Sequence, residues 1–203
     1  MNFEFAEKIN PTLEALEFKK ALQIVTGELA KLPVTDFHVI VDITFLDQVE
    51  SAVDWINDFY QIASKNKVVK ALYFEMNEFD INTDMWFFDG FSYGEDGGLN
   101  LEDVQHMDWL CDYDDSTQNV FKLTGFESLQ TAFSEIEEKE ENGEWTDELQ
   151  DARDWCEQMI IAKFMELMRE AHLRAKEKDL PWAKIPIYFT EHEYNFIVKS
   201  ENE

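Results

Sequence analysis

Two apolar runs joined by a polar connector constrain the fold of this chain more than any other feature. The runs cover residues 69–76 and 85–93, and residues 77–83 connect them. Apolar and aromatic side chains alternate along both runs with a period of two, which predicts two neighbouring, antiparallel strands. We expect the aromatic side chains to form a sheet core, with exposure of part of one face to a partner as the alternative. In the first run one face carries Leu72, Phe74 and Met76 and the other carries Ala71, Tyr73 and Glu75. In the second run one face carries Trp86 and Phe88 and the other carries Met85, Phe87 and Phe91.

Another strand is predicted at residues 36–45, where five apolar side chains recur at every second position. The clearest helical pattern follows at residues 49–63, with apolar side chains spaced i, i+3, i+4 and i+7. Strand 36–45, this helix and strand 69–76 predict a β-α-β unit. If its two strands are neighbours in one sheet, they run parallel with a right-handed crossover.

Helix-capping residues, and the glycine and proline residues that end helices and strands, predict the remaining elements. The first helix is expected to begin at Asn10 and Pro11 and to end at residues 32–33, because Asn caps free amides and Pro suits the first helical position. The other predicted elements are a short strand at 119–124, helices at 126–141 and 147–178, and two final strands at 185–189 and 194–198.

These elements predict a single α+β domain over residues 1–203. We expect a mixed, largely antiparallel sheet of about five or six strands, covered by helices. The two helices between residues 126 and 178 are expected to form a long helical hairpin, inserted before the last two strands.

The charge balance points to the kind of partner. Asp and Glu total 44 and Lys and Arg total 17, which gives a net charge of −27. Such a surface repels nucleic acid and anionic membranes, and it steers basic partners toward itself. Solubility alone is the competing explanation for the charge.

Acidic residues interleaved with aromatic residues mark a candidate binding loop at residues 95–115. Glycine and Asp-Gly pairs at its start are typical of turns and loops. A shorter acidic segment follows at residues 135–144. The candidate partner-binding residues are Glu95, Asp96, Asp103, Asp108, Trp109, Asp112, Tyr113, Asp114 and Asp115, with Glu137, Glu138, Glu140 and Glu141 as a second acidic surface.

Motifs of common catalytic or cofactor sites are absent from the sequence, so no cofactor is predicted. His192 and Glu193 lack the second histidine of a zinc-protease helix, and the acidic loop lacks the spacing of a calcium loop. A dispersed set of carboxylates on three predicted strands, Asp42, Glu75 and Asp89, is the alternative that would bind Mg²⁺.

The cysteines and the hydropathy pattern indicate a cytoplasmic protein. Cys111 and Cys156 both lie in apolar surroundings, where buried free thiols are expected, although the sequence leaves a disulfide between them open. No apolar run reaches the roughly 18 residues that a membrane-spanning helix needs. The first ten residues carry acids where a signal peptide would be basic and then apolar.

These observations favour a non-catalytic, acidic protein-binding domain. The most specific form of this hypothesis is an immunity or inhibitor protein that neutralises a basic partner such as a nuclease toxin, through electrostatic steering and a few aromatic contacts. Two alternatives remain open from the sequence. The first is a DNA mimic that occupies a nucleic-acid-binding protein, and the second is an enzyme that uses Asp42 and Glu75 with a divalent metal.

Overall fold

The computed structural model describes residues 2–99, 120–192, 194 and 196–201. This part of the chain contains six α-helices and one five-stranded sheet, so the predicted α+β fold is confirmed. The helices are α1 (Phe3–Glu14), α2 (Phe18–Leu29), α3 (Val49–Ala63), α4 (Glu127–Ser134), α5 (Ile136–Glu141) and α6 (Asp147–Glu177). The strands are β1 (Ala71–Met76), β2 (Phe87–Tyr93), β3 (Phe121–Lys122), β4 (Ile187–Glu191) and β5 (Val198–Ser200).

The predicted hairpin lies at the centre of the sheet. The strand order is β3-β2-β1-β4-β5, and β1 and β2 pair antiparallel, with Phe74 opposite Gly90 and Glu75 opposite Asp89. The single parallel pair joins β1 to β4, while β2–β3 and β4–β5 are antiparallel. The sheet is therefore mixed and largely antiparallel, as the alternating patterns predict.

The helices cover one face of this sheet, which we call the inner face. Phe74 and Phe88 are fully buried there, and the buried apolar residues of the helices belong to the same apolar cluster. Gly90 permits this packing, because a Cβ atom at that position would lie only 3.1 Å from Phe74 and 3.2 Å from Phe59 of α3. The absence of a side chain in β2 lets two aromatic rings occupy that space.

The opposite, outer face carries a smaller apolar cluster. It contains side chains of strands and of residues next to strands, including Tyr73, Tyr93 and Tyr188. These three are buried, whereas Glu75 and Asp89 on the same face are half-buried. The outer face therefore combines tyrosines with carboxylates, and the inner face is almost wholly apolar.

The long helix α6 is the central helix of the fold. It packs against α2 and α3, contacts α1, β4 and β5, and is buried on all sides over most of residues 152–168. Its interior nevertheless contains the charged residues Asp154, Glu157 and Lys163. A helix that is apolar all round is expected inside a large core, so these charges require specific partners.

The strand predicted at residues 36–45 is wrong, because residues Asp36–Asp42 form a 3-10 helix. The backbone N–H of Thr35 donates to Nδ1 of His38 at 3.1 Å, and the other ring nitrogen of His38 lies 3.0 Å from the carbonyl oxygen of Leu29. Phe37 and Ile40, which are three residues apart, are buried, whereas Val41 is 38% exposed. Burial thus follows the period of the 3-10 helix rather than that of a strand.

The predicted β-α-β unit is consequently wrong as well. Its helix and second strand exist as α3 and β1, but the first strand is missing. The parallel neighbour of β1 is β4, which lies more than a hundred residues later in the chain.

Several helix boundaries also differ from the predictions. The first predicted helix is two helices: α1 begins at Asn2, whose side chain caps it, and Pro11 lies inside α1 rather than at its start. The predicted helix at 126–141 is divided at Glu135 into α4 and α5. In place of the expected helical hairpin, α6 packs chiefly on α2 and α3, and α4 packs on the 3-10 helix Asp36–Asp42.

None of the helices in the described ranges is long and apolar enough to cross a lipid bilayer.

Candidate functional site

The acidic loop predicted to bind a partner is described only at its start, where Glu95 is exposed. The other candidates lie outside the described residues, and so does Cys111. These candidates are Asp103, Asp108, Trp109, Asp112, Tyr113, Asp114 and Asp115.

Asp96 contacts side chains of the sheet, those of Tyr188 and Lys199. The hydroxyl of Tyr188 donates a hydrogen bond to Oδ1 of Asp96 at 2.5 Å, and Nζ of Lys199 lies 3.8 Å from Oδ2. Burial raises the pKa of Tyr188, and the hydrogen bond to Asp96 adds to this effect, so the phenol remains a donor. Asp96 therefore attaches the start of the loop to the outer face of the sheet.

The second predicted acidic surface is fully described and exposed. We define the acidic ridge as Glu137, Glu138, Glu140, Glu141, Glu144, Asp147 and Glu148, which span α5, the turn after it and the first turn of α6. All seven side chains are exposed. Within the described part of the chain, none of them has an ion-pair partner. The ridge therefore presents seven uncompensated carboxylates within twelve residues.

The one basic residue of this segment is turned inward. Nζ of Lys139 lies 3.1 Å from Oδ2 of Asp36 and 3.4 Å from Oε2 of Glu135, and its side chain is 21% exposed. Lys139 therefore pairs with Asp36 and Glu135, which are not part of the ridge, and it does not neutralise the exposed ridge carboxylates.

Aromatic side chains hold the ridge in place. The indole N–H of Trp145 donates to Oε1 of Gln150 at 3.0 Å, and the Trp145 ring meets Phe37 edge-on at 6.5 Å. Phe37 in turn packs edge-on against Phe133 of α4 at 5.2 Å. The ridge is thus fixed to the core, which limits the entropy that its carboxylates lose when a partner binds.

The three carboxylates predicted as a metal alternative are only partly brought together. Glu75 and Asp89 face each other across β1 and β2 on the outer face. Asp42 ends the 3-10 helix, and the next carbonyl, that of Ile43, accepts a hydrogen bond from Lys163 of α6. Asp42 therefore belongs to the helical layer on the other side of the sheet. In the described ranges, no group of three or more His, Cys, Asp and Glu side chains is placed to hold a metal ion.

Glu75 instead joins a hydrogen-bonded chain that the sequence did not predict. Its Oε1 lies 2.5 Å from Nδ1 of His192, and its Oε2 accepts a hydrogen bond from the Tyr73 hydroxyl at 2.6 Å. The His192 side chain is 46% exposed. A carboxylate held at Nδ1 fixes the orientation of an imidazole, which is an arrangement suited to proton transfer.

A second unpredicted group of charges is buried at the carboxyl ends of β1 and β4. Arg153 of α6 lies at its centre, with Nη2 3.1 Å from Asp80 and 2.7 Å from Glu157, and Nη1 3.4 Å from Asp154. Burial raises the pKa of Glu157 to about 7 and that of the nearby Glu191 to about 9. We call Asp80, Arg153, Asp154, Glu157 and Glu191 the buried charged cluster.

One signal in the sequence could have indicated this cluster. Asp154 and Glu157 lie beside the apolar residues Trp155 and Cys156 of α6, and Glu191 directly ends an apolar strand. Charged residues at such positions are buried only with partners or for a function. Asp154 and Glu157 are neighbours of Arg153 on α6 itself, whereas Asp80 and Glu191 are brought to this group by the β1–β4 pairing, which no local pattern reveals.

Comparison with protein-family models, with curated proteins and with solved structures finds no match for this chain.

Proposed function

We propose that this chain is a non-catalytic binding protein for a basic protein partner, and that the acidic ridge is its main docking surface. The observation that carries the proposal is the set of seven exposed carboxylates on a rigid base, with their single neighbouring lysine turned inward. In its most specific form, the protein is an immunity or inhibitor protein that neutralises a cationic toxin such as a nuclease.

The electrostatics of the whole chain support this function. A net charge of −27 gives a long-range field that attracts a cationic protein and accelerates association. Charge complementarity also selects against acidic partners, because like charges brought together cost several kcal/mol. The sequence adds the loop at residues 95–115, with Trp109 and Tyr113 as proposed aromatic anchors, as a second contact region.

The geometry of the ridge favours this proposal over the two alternatives. A DNA mimic needs carboxylates spaced along an extended surface like phosphates, and α5 has only six residues. The metal enzyme needs Asp42 beside Glu75, and Asp42 is on the helical side of the sheet.

A cytoplasmic location is part of the proposal. The described cysteine, Cys156, is a buried free thiol whose pKa burial raises well above its usual value. A stable thiol of this kind is compatible with a reducing compartment.

The test uses a ridge variant and a control of equal charge. The ridge variant is E137Q/E138Q/E140Q/E141Q, and the control D54N/D58N/E7Q/E14Q removes the same number of exposed carboxylates from α1 and α3. The partner is first captured from source-cell lysate at low salt, identified by mass spectrometry and then purified. We expect a single basic protein at about equal stoichiometry. Its Kd should rise at least about tenfold with the ridge variant, which corresponds to 1.4 kcal/mol, and much less with the control.

Two outcomes would contradict the proposal. The first is capture of no basic protein at low salt. The second is equal weakening by both variants, which would show that net charge alone determines the interaction. For the immunity hypothesis, the wild-type protein must also suppress the toxic activity of the partner, and the ridge variant must suppress it less.

A further inference from the structure

The turn that links α5 to α6 contains two neighbouring residues that can react with each other. Asn142 and Gly143 form the single Asn-Gly pair of the sequence. Asn142 is the C-cap of α5, Gly143 has a positive φ of 69°, and both residues are exposed. Because glycine has no side chain, nothing on residue 143 shields its backbone nitrogen from the side-chain amide of Asn142. The pair therefore has the composition that favours deamidation of the asparagine.

Deamidation at this pair needs only water as a co-reactant. The backbone nitrogen of Gly143 loses its proton to hydroxide and attacks Cγ of Asn142. A bond between this nitrogen and Cγ forms, the bond between Cγ and Nδ2 breaks, and ammonia leaves with a proton taken from water. Water then opens the five-membered imide. Cleavage at Cγ gives aspartate, whereas cleavage at the backbone carbonyl carbon gives isoaspartate, in which the main chain continues through Cβ and Cγ.

The closed turn resists this reaction. The N–H of Gly143 donates to the carbonyl oxygen of Glu140 at 3.0 Å, and the N–H of Glu144 donates to that of Lys139 at 2.9 Å. Asn142 has a ψ of −5°, and closure of the imide ring requires ψ to rotate out of this helical region. The last turn of α5 must therefore open before the imide forms.

The structure of α5 favours such opening. The helix has six residues, and none of them is buried. Its four ridge carboxylates are exposed and have no ion-pair partner among the residues that the structure describes. Lys139 connects α5 to the 3-10 helix through Asp36 at 3.1 Å. Segments with few buried contacts open locally at a low cost in free energy.

Two other asparagines are also exposed but lack this arrangement. Asn66 is followed by Lys67, and Asn82 is followed by Thr83. A side chain on the following residue crowds the attacking nitrogen, and the β-branched side chain of Thr83 is also stiff. Asn66 and Asn82 are therefore matched controls within the same molecule.

We propose that Asn142 deamidates spontaneously through opening of α5, and that the reaction adds an eighth carboxylate to the acidic ridge. The aspartate product places a negative charge at the C-terminus of α5, where it opposes the helix dipole. The isoaspartate product inserts one additional main-chain atom before Gly143. The C-cap hydrogen bonds of Gly143 and Glu144 then no longer match their acceptors, and the fixed connection between α5 and α6 is lost.

The chemistry is independent of any partner. Its effect on binding rests on the proposed function of the ridge, because a further carboxylate strengthens the attraction for a basic protein.

Peptide mapping of the full chain tests this inference. The protein is incubated in mildly alkaline buffer, digested at intervals and analysed by mass spectrometry, which detects the replacement of the amide NH2 by OH. Chromatography separates isoaspartate from aspartate. We expect Asn142 to be converted at least about tenfold faster than Asn66 and Asn82, because the side chains that follow those residues hinder ring closure.

Two variants test whether opening of α5 controls the rate. K139Q and D36N break the same ion pair but change the local charge in opposite directions. Both should increase the rate at Asn142 at least about twofold, which is the scale of a partly exposed ion pair. K31A removes an exposed ion pair with Glu28 at the end of α2 and should leave the rate unchanged. Circular dichroism shows whether each variant is folded.

The proposal is overturned if Asn142 is converted no faster than Asn66 and Asn82. It is also overturned if K139Q and D36N do not both increase the rate, since an increase in only one of them would show that local charge controls the reaction. Because this readout needs no partner, failure to capture a basic protein would contradict the proposed function and would leave the deamidation of Asn142 standing.

Discussion

At the scale of single residues, burial shifts the pKa values of two side chains of α6, His172 and Glu157, in opposite directions. His172 is fully buried, its Nδ1 lies 2.7 Å from the Ser200 hydroxyl, and burial lowers its pKa to about 4. This neutral histidine therefore connects α6 to β5 through a hydrogen bond. Glu157 is also buried, but burial raises its pKa to about 7. The fold thus favours the neutral form of both groups, as expected when burial dominates.

The raised pKa of Glu157 predicts how stability depends on pH. Between the usual value of 4.5 and about 7, the folded protein binds more protons at this site than the unfolded chain, so the free energy of unfolding falls as pH rises. In E157Q this contribution is absent. We expect the stability of E157Q relative to wild type to increase by about 2 kcal/mol between about pH 5 and pH 8.

Urea denaturation of both proteins across this pH range measures the effect. H172Q provides the control of opposite sign, because a histidine with a lowered pKa loses stability as pH falls from 6.5 toward 4. If the free energies of unfolding of wild type and E157Q change with pH in parallel, Glu157 is ionised throughout this range. The predicted pH dependence would then be wrong.

At the scale of elements, three helices end in the same hydrogen-bonded motif. The backbone N–H of Glu17 donates to Thr12, that of Glu144 to Lys139, and that of Leu180 to Ala175. In each case the preceding residue has a positive φ: Leu16 at 58°, Gly143 at 69° and Asp179 at 51°. These are Schellman C-caps, but only one of them has the glycine that usually marks this motif in a sequence. Leu16 gives no such signal, so the sequence does not predict the break between α1 and α2.

Asp179 is the cap where a glycine should stabilise the fold. We expect Asp179→Gly to increase the free energy of unfolding by about 1 kcal/mol, because glycine adopts a positive φ without steric strain. The lost ion pair with Lys184 is exposed and contributes little. Thermal or urea unfolding of the two proteins measures the difference.

Asp179→Ala is the matched control for this substitution. It removes the same carboxylate but keeps a Cβ atom at a positive φ, so it should be no more stable than wild type. Equal stability of the Gly and Ala variants would show that strain at this cap is negligible.

At the scale of the whole molecule, self-repulsion opposes the compact state. The charge of −27 is carried by a chain of only 203 residues, and the seven ridge carboxylates have no ion-pair partner among the residues that the structure describes. Repulsion of this kind is screened by salt, since the Debye length falls from about 30 Å at 0.01 M to about 3 Å at 1 M.

Salt is therefore expected to stabilise this protein. Raising NaCl from about 0.01 M to 0.5 M should increase Tm by several degrees, because the folded state brings the carboxylates closer together than the unfolded chain does. Differential scanning calorimetry measures this shift. The ridge variant should gain less from salt than the wild type, and a Tm that is constant or falls with salt would contradict the expectation.

Features that depend on neighbouring residues can be predicted from the sequence. Alternation with a period of two predicts β1 and β2, helical spacing predicts α3 and α6, and a local run of Glu predicts the exposed ridge. In each case, the residues that form the pattern lie within one element or within two elements that are adjacent in the chain. Side chains on one face of a strand or helix are buried together, so apolar residues recur in the sequence with the period of that strand or helix.

Features that depend on contacts between distant segments are not predicted by the sequence patterns. Residues 36–45 have the alternation of a strand, but His38 is bonded to Leu29 and Lys163 to Ile43, and these contacts hold a 3-10 helix. The pairing of β1 with β4 and the ion pair of Asp80 with Arg153 likewise join segments about seventy or more residues apart. The packing of the whole core determines which distant segments are in contact. The hydrophobic period of a single segment does not indicate its distant partner.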